Sequence, residues 1–195
     1  MKKKIKRNMR IARYVVYRET LINKADILWT FLGAFAGIGL IGFINSRYFT
    51  LNDNLFLIGS FGATAVLIYG ATNSPLAQPR NLVGGHLISA FIGVAVHKLI
   101  PGEVWLSSAL SVSLSIVMMQ ITKTLHPPGG ATALIANIGS EKIQALGFIY
   151  VLSPVLTGVI ILLIIALIFN NIPKDRFYPY KKPKNKLLQK LLNRS

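Results

Sequence analysis

The chain of 195 residues contains no cysteine. That excludes disulfides, thiolate nucleophiles and cysteine-ligated metals. Acidic residues are scarce, six against 22 Lys and Arg. None is placed well inside an apolar stretch, because Asp26, Asp53, Glu103 and Glu141 all sit at stretch ends. A cation site built from carboxylates is therefore not expected, nor is paired-carboxylate or two-metal hydrolysis. A Gly-Lys-Ser/Thr phosphate loop is also missing, which argues against ATP-driven pumping by this chain. The serines of residues 104–121 have no His–Asp partner pattern, so helix packing or pore hydration explains them better than nucleophilic catalysis. Neither an enzyme nor a bound cofactor or metal is expected.

What the chain has instead is apolar length. Charged residues make up 14% of it, where a soluble domain of this size carries about 25%. Nine of the 22 basic residues fall in 1–26 and eight in 174–195. Only Arg47, Arg80, Lys98, Lys123 and Lys142 lie between. This is the layout of an integral membrane core with two basic tails. A net charge of +16 suits any polyanion, but basic tails flanking apolar spans are explained by positive-inside bias and anionic lipid headgroups. Nucleic acid is not an expected partner. The basic start leads into Arg-rich amphipathic sequence and not into a short apolar run with a small-residue cleavage site, so no signal peptide is read.

The organisation reads as follows. Residues 1–26 form a basic amphipathic segment on the cytoplasmic membrane face. Residues 27–170 form the transmembrane domain, and 171–195 a basic cytoplasmic tail. Within the domain, long apolar runs at 27–44, 82–100, 104–121 and 143–169 alternate with short ones at 55–69 and 128–138. A kink is expected at Pro154. Gly33–Gly42 in the first run offers a small-residue interface between copies of the chain.

Gly-Ala-Thr-Ala occurs twice, at Gly62–Ala65 and Gly130–Ala133, once in each short run. The long–short–long order also repeats, as 27–100 and 104–169. A unit of three crossings is odd, so its second copy enters from the other side. The fold expected is an all-α polytopic membrane protein of about six segments in two inverted repeats, the two short Gly-rich segments broken or re-entrant. Four crossings with both short segments re-entrant also keep both termini in the cytoplasm. Arg80 and Lys123 are then cytoplasmic, and Arg47, Lys98 and Lys142 lie outside.

Helix breakers repeated in two halves of a hydrophobic chain point to a transport site. His126 precedes Pro127 and Pro128, so its backbone is pushed to an extended form and a helix is expected to start near Pro128. The amides of Gly129, Gly130, Ala131 and Thr132 would then lie at a helix N-terminus suited to a small anion. His126 is placed to assist the anion or couple protons. The plainer alternative is a buried helix start whose histidine satisfies loop carbonyls. Thr64, following Gly62, would meet Thr132 in the same site, unless this copy serves only close helix packing. Arg80 and Lys123 suit a cytoplasmic anion funnel, though topology explains them equally well. Asn81 is a candidate contact, His86 faces the same vestibule, and His97 lies near the other membrane face.

Three ordered motifs then carry a resemblance: Gly59-Ser-Phe-Gly-Ala-Thr-Ala65, Ser74-Pro-Leu-Ala-Gln-Pro-Arg-Asn81 with Gly84-Gly-His86, and Leu125-His-Pro-Pro-Gly-Gly-Ala-Thr-Ala133. Across about residues 25–170 the chain resembles the HPP family of integral membrane proteins. Members are described with four spanning helices, and plastid and cyanobacterial members are implicated in nitrite transport. The resemblance implies transport of a small inorganic anion, nitrite first, by a channel or secondary transporter. A non-transporting scaffold that uses the basic tails is the alternative. A homo-oligomer in a bacterial plasma membrane, with anionic lipids at the tails, completes the expectation.

Overall fold

A computed structural model describes residues 24–48, 55–174 and 176–180. The amphipathic segment expected before residue 24 and the tail after Tyr180 lie outside the described residues. Every regular element among those described is helical. They are α1 (Lys24–Tyr48), α2 (Gly59–Ala65) continued by a π-helical turn at Val66–Gly70, a 3-10 turn at Pro75–Ala77, α3 (Pro79–Leu99), α4 (Val104–Ile121), α5 (Pro127–Ile138), α6 (Glu141–Ala145), a broken helical stretch at Val151–Leu156, and α7 (Thr157–Phe169).

Four helical stretches are long and apolar enough to cross a membrane: Ala25–Tyr48, Pro79–Leu99, Val104–Ile121 and Val151–Phe169. The short element α5 has 12 residues, about 18 Å of rise where a bilayer core is about 30 Å. Cross-links fix the direction of each element. Thr30 Oγ1 donates to Tyr69 O (3.0 Å), and Asn170 Nδ2 to Ile68 O (2.8 Å). Tyr178 donates to Ala77 O (2.7 Å), and Arg176 pairs with Asp26 at 2.9 Å. These bonds gather the start of α1, the end of α2, the 71–78 loop and the end of α7 on one face. At the other, Asn45 Oδ1 accepts from Phe56 N (2.9 Å) and Gln144 Nε2 donates to Asn137 O (2.7 Å). The chain thus reverses direction at each successive helix, and Lys24 and Tyr180 share a face.

Close packing explains several small residues. A Cβ on Gly33 or Gly37 would strike the Tyr69 ring or its hydroxyl, and Tyr69 donates to Leu162 O (3.1 Å). Half of the glycine stripe expected to join copies of the chain is therefore spent inside it, holding α1 against Tyr69 and α7. Only Gly39 faces open space, and Gly42 barely touches Leu57.

Two elements come out in finer detail. The run at 143–169 breaks beside Pro154, where the kink is expected. It divides into α6, a turn in which Gly147 has φ 51°, and a stretch broken at Ser153 (φ −139°, ψ 124°). Proline disfavours helical geometry at the residue before it, in keeping with the break at Ser153. The compact unit also does not end at 170, because Arg176 and Tyr178 pack back onto α1 and the 71–78 loop. Burial there pushes the Tyr178 phenol up from its usual range.

Candidate functional site

The site is assembled where α2, α3 and α5 meet. His126 caps α5 in an extended conformation (φ −142°, ψ 104°), and Pro127 and Pro128 fill the first two helical positions. Helix α5 rests on α3 through glycine. A Cβ on Gly85 would meet the His126 side chain and Thr124 O, and one on Gly129 would lie 2.9 Å from Gly85 O and 2.8 Å from Ser89 Oγ. Only glycine permits this backbone approach. It brings the first turn of α5 against the second turn of α3, with α2 closing the third side.

Four polar side chains converge there, all with zero exposure: Thr64, His86, His126 and Thr132. Thr64 Oγ1 lies 2.7 Å from His86 Nε2 and 3.3 Å from His126 Nε2. The other ring nitrogen of His86 is 2.7 Å from Thr132 Oγ1. His126 Nδ1 is 2.8 Å from Leu76 O. Each threonine also reaches the carbonyl four residues back, Ser60 O at 3.0 Å and Pro128 O at 3.3 Å. The His86 and His126 rings are 4.9 Å apart, and Phe61 sets its edge against His86 at 6.0 Å. The partners of the cluster are hydroxyls, imidazoles and backbone carbonyls, with no charged side chain among them. Such a network is costly to leave half-satisfied in an apolar interior, and every member here has a partner. Its chemistry is that of proton donors and acceptors that bear no fixed charge.

His126, His86, Thr64 and Thr132, named from the sequence, are thus brought into one cluster. The remaining candidates sit around it. Arg80 is exposed and donates to Thr122 O (2.8 Å), beside exposed Lys123, so both cations stand on the face where the 71–78 loop lies. Lys123 has φ 57°, which turns the chain from α4 toward His126. Asn81 donates to Leu125 O (2.8 Å) and holds the His126 loop against the start of α3. Gly62 is exposed with nothing near it, and Gly130 touches only Val112. His97 lies with Lys98 and Gln144 in a cavity of about 190 Å³ at the opposite face.

At the N-terminus of α5, Pro127 and Pro128 have no N–H and the Gly129 amide donates to His126 O (2.8 Å). Side-chain donors stand beside that terminus. Two contributors escaped sequence reasoning. Leu76 acts through its carbonyl, which no residue type advertises. Tyr150 donates to Thr132 O (3.0 Å) from a buried position that apolar sequence around it does not single out. No cluster of metal-ligating side chains occurs among the described residues.

Comparison with known proteins agrees with the motifs. The family model for the HPP transmembrane region matches residues 19–179. Two transmembrane proteins of Dictyostelium discoideum are each 45% identical over 157 residues, which is 79% of this chain. Those residues cover 50% of one relative and 55% of the other, so the chain spans about half the length of the curated relatives it matches. No solved structure matches the chain. The matched span takes in both Gly-Ala-Thr-Ala copies and the His-Pro-Pro turn whose side chains meet in the buried cluster: the chain is an integral membrane protein of the HPP family.

Proposed function

We propose that this protein moves a small inorganic anion across a membrane, as a channel or secondary transporter, with nitrite as the first cargo to test. One observation carries the reading. Both repeated threonines and the His-Pro-Pro histidine converge with His86 on a single buried cluster in an otherwise apolar interior. Polar groups at that depth are expensive and are kept where a substrate or ion passes. The cargo's contacts are the broken-helix N-terminus near Gly129–Thr132 together with the imidazole N–H and threonine O–H groups beside it. Arg80 and Lys123 on the adjoining face raise local anion concentration.

Six passages arranged as two inverted halves, 27–100 and 104–169, bring the two short elements to this cluster from opposite sides. Both ends of the chain then lie in the cytoplasm, the basic tails hold anionic lipid, and the plasma membrane is the expected site. Six thin passages enclose little pore wall, which favours a homo-oligomer. Covalent catalysis plays no part in this scheme.

Purified protein in liposomes, offered nitrite, nitrate, formate and chloride, tests it. The expected result is nitrite-preferring flux that His126→Ala lowers by at least about tenfold, the rate equivalent of about 1.4 kcal/mol. Folded wild-type protein that passes none of these anions refutes the reading. Loss of function only on removal of residues 1–20 or 181–195 would then favour a scaffold acting through its tails.

A further inference from the structure

With neutral histidines, and every bare ring nitrogen given a donor, hydrogen-bond bookkeeping at the cluster has one solution. Leu76 O can only accept, so His126 Nδ1 must carry a proton and Nε2 is left as an acceptor. Thr64 is the donor within reach of that Nε2 (3.3 Å), so in this arrangement its hydroxyl hydrogen turns there and not to Ser60 O, 3.0 Å away. His86 Nε2, 2.7 Å from the same oxygen, must then donate to it. That leaves His86 Nδ1 as an acceptor, and Thr132 donates to it. The bonds run in one direction: Thr132 to His86, His86 to Thr64, Thr64 to His126, His126 to Leu76 O.

A second arrangement is equally complete but holds one proton more. With His126 protonated on both nitrogens, its Nε2–H donates to Thr64 Oγ1. Thr64 then donates to His86 Nε2, and His86 carries its proton on Nδ1 and donates to Thr132 Oγ1. Thr132 turns its hydrogen to Pro128 O, 3.3 Å away. No donor is stranded in either state, and the direction of every bond between His126 and Thr132 reverses.

We propose that this Thr132–His86–Thr64–His126 chain is a one-proton switch, and that the proton it takes up is the coupling ion that travels with each anion. The proposal rests on the transport reading above. The proton balance is simple. One proton is gained at His126 Nε2, the His86 proton passes from Nε2 to Nδ1, and each threonine keeps one O–H bond. Loss of that Nε2 proton, with the His86 proton returning to Nε2 and the Thr132 hydrogen turning back to His86 Nδ1, restores the first state.

The surroundings make that proton consequential. The Ser60 carbonyl and the Phe61 ring meet the cluster from α2, and Ser89 of α3 and Met119 of α4 lie against Gly129 beside it. Tyr150, through Thr132 O, is the other titratable side chain against it among the described residues. None of these supplies a counter-charge. A buried unpaired imidazolium is strongly disfavoured, so a monovalent anion is the partner that makes uptake favourable. Movement of one anion with one proton is electrically silent.

The test joins spectroscopy and flux. The protein has three histidines, so 15N NMR of histidine-labelled full-length protein in bilayers resolves them, with His97→Gln assigning the third. At high pH, His126 should show Nδ1–H and His86 Nε2–H. On acidification, one proton should appear on His126 as the His86 proton moves to Nδ1. Thr64→Val should abolish the linked change and Thr64→Ser should restore it. In liposomes, an inward proton gradient of one pH unit should accumulate nitrite about tenfold at equilibrium, with no response to membrane potential. An Nδ1–H tautomer of His86 already present at high pH, or independent protonation of the two histidines, overturns the switch. Potential-driven, pH-insensitive nitrite flux overturns the coupling and leaves transport standing. The tautomer change in protein that passes no anion instead overturns the transport reading alone.

Discussion

The two copies of Gly-Ala-Thr-Ala do the same chemistry in opposite packing environments. In Ser60-Phe61-Gly62-Ala63-Thr64-Ala65 and in Pro128-Gly129-Gly130-Ala131-Thr132-Ala133, the threonine is fully buried and its hydroxyl reaches the carbonyl four residues back. Each hydroxyl also lies 2.7 Å from a different nitrogen of the same ring, His86. The copies diverge at the residue just before the repeated glycine. Phe61 places a ring where a Cβ on Gly158 of α7 would fall, and it edges against His86. Gly129 leaves no side chain at all and lets α5 touch the backbone of α3. The shared tetrapeptide thus delivers the hydroxyl, while its neighbour sets how far the helix stands from its partner: a ring's thickness for α2, backbone contact for α5.

The largest expected effect comes from removing the spacer. Phe61→Ala deletes a fully buried ring, a change that costs about 3–5 kcal/mol in soluble cores. Lipid replaces water as the reference here and weakens the transfer part, so about 3 kcal/mol is expected. Thermal unfolding in one fixed detergent reads it. Gly129→Ala tests the opposite device, since the added methyl would press on Gly85 O and Ser89 Oγ. Overpacking of this kind costs about 1–3 kcal/mol. Should Gly129→Ala unfold the protein at a lower temperature than Phe61→Ala, the α3–α5 contact outweighs the spacer and the ranking of the two copies is reversed.

Most of this contrast was legible in the sequence, and for physical reasons. Apolar runs bounded by charge mark the long helices, and α4 falls where its run predicts, at Val104–Ile121. Paired prolines after His126 fix both its extended backbone and the start of α5. Polar residues in apolar surroundings pick out Thr64, His86, His126 and Thr132, because burying them is costly without mutual satisfaction. The unread parts depend on long-range geometry. Nothing local says that the Tyr69 hydroxyl consumes Gly37, that Arg176 returns to Asp26, or that the Leu76 carbonyl fixes a histidine tautomer. The α5 terminus depends on nearer geometry: two prolines remove two amides, and the Gly129 amide turns back to His126 O.

The smallest effect belongs to the glycine that the copies share. A Cβ on Gly62 meets nothing within 4 Å, and one on Gly130 would sit 3.8 Å from Val112, an ordinary contact. Neither glycine is required by space, and neither has positive φ. Alanine is favoured over glycine in a helix by up to about 1 kcal/mol, so Gly62→Ala should leave the unfolding temperature unchanged or raise it slightly. Gly130→Ala should behave alike, because the repeated glycine, unlike the residue before it, makes no contact among the described residues that excludes a methyl. A clear loss of stability at Gly62 with none at Gly130 would break that equivalence. It would mean that the exposed face of α2 is covered by something beyond the described residues, and light scattering of the same samples would show whether a second copy supplies the cover. Equal behaviour at both glycines would instead confine the difference between the copies to Phe61 and Gly129.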